Sequence, residues 1–260
     1  MMENPQAPDR AGGAGARRVA LVTGAAQGLG AAVAARLHAD GHTVILADID
    51  EAGAARAAAS LDASGDTAVP WTLDVSDPAA IAAAGEAITA RFGGVDILVN
   101  NAGRTVPRSI WDIEVEEWDA ILATNLRSVL LVTRAFAPDM RARGWGRIVN
   151  MSSIAGQQGG LVAGAHYASS KAGIIVLTKI FAKDLAADGV TVNAVAPAAV
   201  RTPAMDAMDP AKLEASRQGI PVGRFGEAHE VAEMVAYLTR DEAAFVTGAT
   251  LDINGGVSMR

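Results

Sequence analysis

The chain has no cysteine among its 260 residues. That absence excludes disulfides, thiolate metal sites and cysteine nucleophiles. Lysine is scarce, with four residues, and these are scattered, as are the 18 arginines, of which Arg17 and Arg18 make the closest cluster. With a net charge of −7 and a pI of about 5.1, no basic patch supports nucleic-acid binding. Four histidines (His38, His42, His166 and His229) lack metal-ligand spacing, so no metal site is expected. His38 and His42 straddle the helix-ending pair Asp40-Gly41 and read as surface residues. No apolar run reaches transmembrane length, and the N-terminal stretch lacks an apolar signal core. The expectation is a cytoplasmic protein without a membrane partner, its residues 1–17, rich in Ala, Gly and Pro, forming a disordered tail.

What is present is ample material for a core. Half of the residues are hydrophobic and 20% are charged. From Val19 onward short apolar runs alternate with helical segments. The strands are read at VALVT (19–23), TVILAD (43–48), TAVPWTLD (67–74), VDILVNNAG (95–103), 147–151, TVNAVAP (191–197) and ATLDIN (249–254). Helices are read to about Asp40, and at 51–63, 77–92, 115–125, 126–143, 167–187 and 229–239. A loose stretch, about 198–227, interrupts the alternation and reads as a lid. Such alternation implies an α/β fold, a doubly wound parallel sheet with helices on both faces. No second core or linker is evident, so residues 18–260 are expected to form one domain.

The stretch Gly146–Lys171 carries the strongest chemical signal. A buried strand leads to Ser152 and Ser153, then to a Gly-rich loop, then to Tyr167 and Lys171. Four residues apart on a helix, the phenol and the ammonium share one face. A nearby positive charge favours an ionised phenol, which suits Tyr167 to proton exchange with a carbonyl or alcohol oxygen. The plain alternative is an aromatic on a half-buried helix with a solvated lysine one turn on.

TGAAQGLG (23–30) lies where the first strand gives way to a helix. Its Gly24, Gly28 and Gly30 let backbone N–H groups approach a pyrophosphate at a helix N-terminus. The spacing is G-x-x-x-G-x-G rather than G-x-G-x-x-G. Asp48 ends the second strand, 18 residues past Gly30, where a carboxylate accepts hydrogen bonds from an adenine ribose. It would repel a 2′-phosphate, and neither Gln27 nor Ile49 supplies a compensating cation. NAD is therefore the expected cofactor.

TGAAQGLG, Asp48, LDV (73–75), NNAG (100–103), Asn125, Ser153, YASSK (167–171), NAVAP (193–197), Thr202 and DINGG (252–256) together resemble the short-chain dehydrogenase/reductase family, from about Arg18 to Gly256. The resemblance implies a sheet of order 3-2-1-4-5-6-7 and an NAD-dependent oxidoreductase interconverting a secondary alcohol and a ketone. It implies that Tyr167 is the general acid/base and that Lys171 lowers its pKa and holds the nicotinamide ribose. Ser153 would orient the substrate oxygen, and Asn125 would hold a water linking Lys171 to solvent. Gly24, Gln27, Gly28, Leu29, Gly30, Asp48 and Ile49 would bind the phosphates and ribose. Asp74 and Val75 would embrace the adenine, while Asn101, Ala102 and Gly103 line the cleft. Pro197, Val200 and Thr202 would hold the nicotinamide amide side. A homotetramer is implied, assembled through the helices at Asn125–Arg143 and Tyr167–Ala187. Two departures stand out: Ala198 replaces a customary glycine, and Ser153 to Tyr167 is one residue longer than the commonest spacing.

By position, the substrate pocket is expected between Ile154, Gln157, Gln158, Leu161, His166 and a lid bearing Met205 and Met208. Arg104 and Arg108 either meet a substrate carboxylate or are solvated. Three alternatives remain open. The first is an NADPH-dependent reductase of 3-oxoacyl groups on a carrier protein, the second a non-catalytic NAD-binding regulator, and the third an isomerase or dehydratase with tightly held NAD.

Overall fold

The computed structural model describes residues 17–160, 163–201, 205 and 209–259. Seven strands form one sheet: β1 Val19–Thr23, β2 Thr43–Asp48, β3 Ala68–Thr72, β4 Ile97–Asn100, β5 Gly146–Met151, β6 Val190–Pro197 and β7 Thr250–Ile253. All pairs are parallel, in the order β3-β2-β1-β4-β5-β6-β7, as expected. The expected tail at 1–17 lies outside the described residues apart from Arg17.

Strands covered on both faces need apolar side chains at every position. β1 meets that need, with Val19 and Leu21 facing one layer and Ala20 and Val22 the other, all fully buried. One layer is closed by α3 (Pro78–Phe92), α5 (Ser128–Arg143) and α7 (Ala165–Leu185), through Ile88, Phe136 and Leu185. The other is closed by α1 (Gly28–Ala39), α2 (Glu51–Leu61) and α9 (Ala228–Thr239), through Leu37, Ala58 and Val235. Each large side chain so buried contributes about 1.5–3 kcal/mol. Asp77 caps α3 by accepting from the Ala79 N–H at 2.8 Å, with Pro78 opening the helix. Pro70, without an N–H, is tolerated because β3 is an edge strand.

Several expectations need correction. β3 and β4 are shorter than read, because residues 73–74 and 101–103 leave the sheet to border the cleft at its C-terminal edge. The supposedly loose lid contains α8 (Pro210–Gln218), whose first turn is capped by Asp209 accepting from the Ala211 N–H at 2.9 Å. Its sequence, PAKLEASRQ, is too polar to show an apolar stripe. A four-residue helix, α6 (Ala155–Gln158), is too short for periodicity to reveal. His38 and His42 are half-buried rather than on the surface: His38 Nε2 lies 2.9 Å from Thr67 Oγ1, and His42 Nδ1 accepts from the Arg18 N–H at 3.4 Å.

The two helices read at 115–125 and 126–143 are one continuous helix of 29 residues. It comprises α4 (Val115–Leu122), a widened π turn (Ala123–Arg127) and α5. With mean hydropathy 1.3 it is long and apolar enough, by length and composition, to cross a membrane. Here Val129, Val132, Phe136 and Met140 are buried against the sheet and α3, as in a core helix.

Candidate active site

A cleft of about 640 Å³ opens at the C-terminal ends of β1, β2, β4 and β5. Strand order reverses between β1 and β4, where doubly wound sheets bind their ligands. Asn101 ties that point together, its side-chain amide donating to the carbonyls of Thr23 and Gly24 at 2.9 and 3.0 Å. Thr23 Oγ1 in turn accepts from the N–H groups of Asn101 and Ala102 at 3.0 and 3.1 Å. Above this seam Gly24, Gln27, Leu29 and Gly30 line the cleft.

Close approach makes Gly30 indispensable: a Cβ there would stand 2.0 Å from the Gly24 carbonyl oxygen. The first turn of α1 has no acidic residue, and no side chain caps it, so its backbone N–H groups are left for an anion. Asp48, at the end of β2, also lines the cleft. Its Oδ2 accepts from the Ala26 N–H at 2.9 Å and its Oδ1 from the Asp50 N–H at 3.0 Å, which fixes the carboxylate. Asp74 and Val75 border the same space, Asp74 being held by Ser76. These features fit a dinucleotide: an uncapped helix terminus for the phosphates and a fixed carboxylate beyond it.

At the other end β5 delivers Ser152 and Ser153, and α7 delivers Tyr167 and Lys171. Ser152 is buried and donates to the Lys171 carbonyl at 2.9 Å, so it braces the helix. Ser153 Oγ accepts from the Ala155 N–H at 3.1 Å, and Ser153 and Thr105 both act to lower the pKa of the Tyr167 phenol. Lys171 Nζ donates to the Met151 carbonyl at 2.6 Å and lies 5.6 Å from the centre of the Tyr167 ring. Burial pulls its ammonium down to about 8. The expected depression of the Tyr167 pKa is not found in the chain alone. Burial pushes the phenol above its ordinary value, outweighing the hydrogen bonds from Ser153 and Thr105 that hold it down.

Asn125 sits in the π turn and is wholly buried. Its Oδ1 accepts from the Arg104 N–H at 2.8 Å, and its amide donates to the Arg104 carbonyl at 2.9 Å and to Ser170 Oγ at 3.2 Å. A Cβ on Gly103 would lie 3.3 Å from Asn125 Oδ1 and 3.6 Å from Lys171 Nζ, so both groups close on that glycine.

Other expectations fare differently. His166 does not wall a pocket: it is fully buried, with Nε2 3.2 Å from Glu117 Oε1. Arg108 is exposed, in keeping with the solvated reading, and its guanidinium pairs with Glu117. Gln157 reaches Asp252 Oδ1 at 2.6 Å. Pro197 ends β6, its carbonyl accepting from the Ile154 N–H at 3.0 Å, and Val200 borders a separate cavity of about 200 Å³ at the lid base. Thr202, Leu161 and Met208 lie outside the described residues. Sequence reading missed Ser76, Thr105 and Thr124 as cleft residues, since none carries a motif signal of its own.

A family model described as Enoyl-(Acyl carrier protein) reductase matches residues 24–258. The chain is 42% identical over 242 residues to a 3-oxoacyl-(acyl-carrier-protein) reductase of Vibrio cholerae, covering 93% of this chain and 98% of that one. It is 41% identical over 244 residues to a 2-dehydro-3-deoxy-L-rhamnonate dehydrogenase (NAD(+)) of Sphingomonas sp., covering 93% and 95%. A 3-oxoacyl-(acyl-carrier-protein) reductase of Thermotoga maritima is 37% identical over 240 residues, covering 92% and 97%.

Proposed function

The chain belongs to the short-chain dehydrogenase/reductase family, and from that premise we propose an NAD-dependent oxidoreductase that interconverts a secondary alcohol and a ketone. The observation that carries the reading is the convergence of Ser153, Tyr167, Lys171 and Asn125 at one end of a cleft whose other end holds the glycine turn and Asp48. A bound nicotinamide would supply the hydride or accept it. In the reductive direction Tyr167 gives its phenolic proton to the carbonyl oxygen, and it takes a proton from the alcohol in the other. Ser153 donates to that same oxygen and orients it. The Lys171 ammonium favours the phenolate left behind, and Lys171 also holds the nicotinamide ribose. Asn125 keeps a lone pair on Oδ1 for a water leading from Lys171 to solvent.

Gly24, Gln27, Gly28, Leu29 and Gly30 would hold the pyrophosphate, and Asp48 with Ile49 the adenine ribose. Asp74 and Val75 would flank the adenine, Asn101, Ala102 and Gly103 the nicotinamide ribose, and Pro197, Val200 and Thr202 the amide. Around Asp48 the cleft offers Gln27, Leu29 and Ile49, none of them cationic. The dehydrogenase relative named for NAD(+) agrees with this cofactor. The rival is an NADPH-dependent 3-oxoacyl-(acyl-carrier-protein) reductase, the activity named for other relatives; Asp48 stands against it.

A fluorescence titration with NADH and NADPH separates the two. NADH is expected to bind at least about tenfold more tightly, a hydrogen bond to a charged group being worth about 1.5–3 kcal/mol. Asp48→Ala is expected to erase most of that gap. Preference for NADPH by the parent protein would establish the rival.

The proposed assembly is a cytoplasmic homotetramer. Between α4–α5 and α7 an exposed groove presents Leu122, Leu126, Leu130, Val176 and Leu177, with Val176 56% exposed. Val176→Glu is expected to lower the mass measured by light scattering from four chains to two or one. An unchanged mass would remove this groove from the assembly.

A further inference from the structure

Beside the reacting groups a second set of side chains forms a chain of its own. Arg108 Nε and Nη2 donate to Glu117 Oε1 and Oε2 at 3.2 and 2.8 Å. Arg108 thereby holds the Glu117 carboxyl below its ordinary pKa range. Glu117 Oε1 also lies 3.2 Å from Nε2 of the fully buried His166. His166 Nδ1 accepts from the Tyr167 N–H at 2.8 Å, so the ring proton sits on Nε2 and is donated to the carboxylate. An exposed arginine–carboxylate pair alone stabilises little. This one is anchored to a buried group that touches the backbone of Tyr167.

The loop that bears Arg108 is held twice more. Asn125 grips both the N–H and the carbonyl of Arg104. The Val106 carbonyl rests against Gly164, where a Cβ would stand 2.9 Å from that oxygen and 2.6 Å from His166 Cε1. Gly164 has φ +85, so both its space and its conformation exclude a side chain there. Between these clamps lies Thr105, which lines the cleft together with Tyr167 and counts among the groups that hold the phenol's pKa down.

We propose that Arg108, Glu117 and His166 form a positioning relay that fixes the 104–108 loop over the cleft. The relay holds Thr105 as a second hydrogen-bond partner of the Tyr167 phenol, alongside Ser153. This rests on the reading of Tyr167 as the acid–base group. When the phenol loses its proton, Thr105 and Ser153 both donate to the phenolate, which lowers the cost of forming it. The relay residues act through Thr105 and do not touch substrate themselves.

The test begins without substrate or cofactor. Protein labelled with 13C at tyrosine Cζ has two resonances, from Tyr167 and Tyr237, assigned with Tyr237→Phe. At pH 7, Thr105→Val is expected to move the Tyr167 resonance and leave that of Tyr237 in place. Glu117→Ala is expected to move Tyr167 in the same direction, and Glu117→Gln, which keeps an acceptor for His166, to move it less. Should Glu117→Ala disturb folding, Arg108→Ala on the exposed end of the relay gives the same reading. A Tyr167 resonance unmoved by both variants overturns the relay.

With ethyl acetoacetate as probe ketone, Thr105→Val and Glu117→Ala are each expected to lower kcat about tenfold with KM little changed. The double variant should lose no more than either single one; multiplied losses overturn the coupling. Retained turnover in Tyr167→Phe would instead defeat the acid–base assignment, a failure the resonance measurement does not share.

Discussion

Tyr167→Phe is expected to bind NADH as tightly as the parent chain and to turn over about 10²–10⁴-fold more slowly, the usual contribution of a placed general acid. The substitution removes only the hydroxyl. Its ring packing stays, so the helix that carries Lys171 keeps its place, and Lys171 Nζ keeps the Met151 carbonyl as acceptor. What disappears is the one proton donor that Ser153 and Thr105 both address. Burial pushes this phenol above its ordinary value in the chain alone, so its role as an acid is well served. As a base it depends on the charge at Lys171 and on whatever positive charge a bound oxidised cofactor brings. Steady-state turnover of a probe ketone, set against NADH affinity by fluorescence, checks the expectation. Retained turnover would move the proton donor elsewhere.

Gly30→Val is expected to abolish dinucleotide binding and to lower the melting temperature by roughly 5–10 °C. The first carbon of any side chain at this position meets the Gly24 carbonyl oxygen at 2.0 Å and the Asn101 amide nitrogen at 2.6 Å. Neither is the free end of a flexible side chain. One is backbone, and the other is held by two hydrogen bonds to Thr23 and Gly24. Overpacking of this sort costs about 1–3 kcal/mol, which for a chain of this size is a few degrees per kcal/mol. Relief requires the turn to swing away from the α1 terminus, and the phosphate cradle goes with it. Gly28 makes a useful contrast: it has φ +60, and a Cβ there would meet no atom within 4 Å. Gly28→Ala is expected to cost about 1 kcal/mol of conformational strain alone. Differential scanning calorimetry on the pair, with NADH titrations alongside, checks both; equal effects would reject the crowding explanation.

The strands were legible because a sheet covered on both faces demands unbroken apolar runs, and VALVT and TVILAD supply them. Their order across the sheet was not legible in the pattern and came from family resemblance. Tyr167 and Lys171 were legible because a helix brings positions four apart together. The raised pKa of the phenol in the chain alone was not legible, because burial sets it, and burial is a property of the folded neighbourhood. The partners of His166 were out of reach for a different reason. Glu117 lies 49 residues upstream, and no periodicity links the two. α8 escaped because a polar helix over a lid has no stripe to read. Asn125 was identified by family resemblance, yet nothing in the sequence announced that it sits in a π turn, an arrangement frequent at functional sites.

The strand order has a consequence in time. As the chain leaves the ribosome, β1, β2 and β3 emerge in the order in which they lie side by side in the sheet. The opposite edge of β1 waits until a partner arrives 77 residues later, the separation spanned by the Val19–Asp96 hydrogen bond. At about 5–20 residues per second that wait lasts roughly 4–15 s. Growth of the sheet then changes sides and runs outward to β7. The nucleotide turn lies on the seam between the half made early and the half made late, while Ser153, Tyr167 and Lys171 belong wholly to the latter. Every residue of the glycine turn and its Asn101 clasp is therefore synthesised before Ser153, Tyr167 and Lys171.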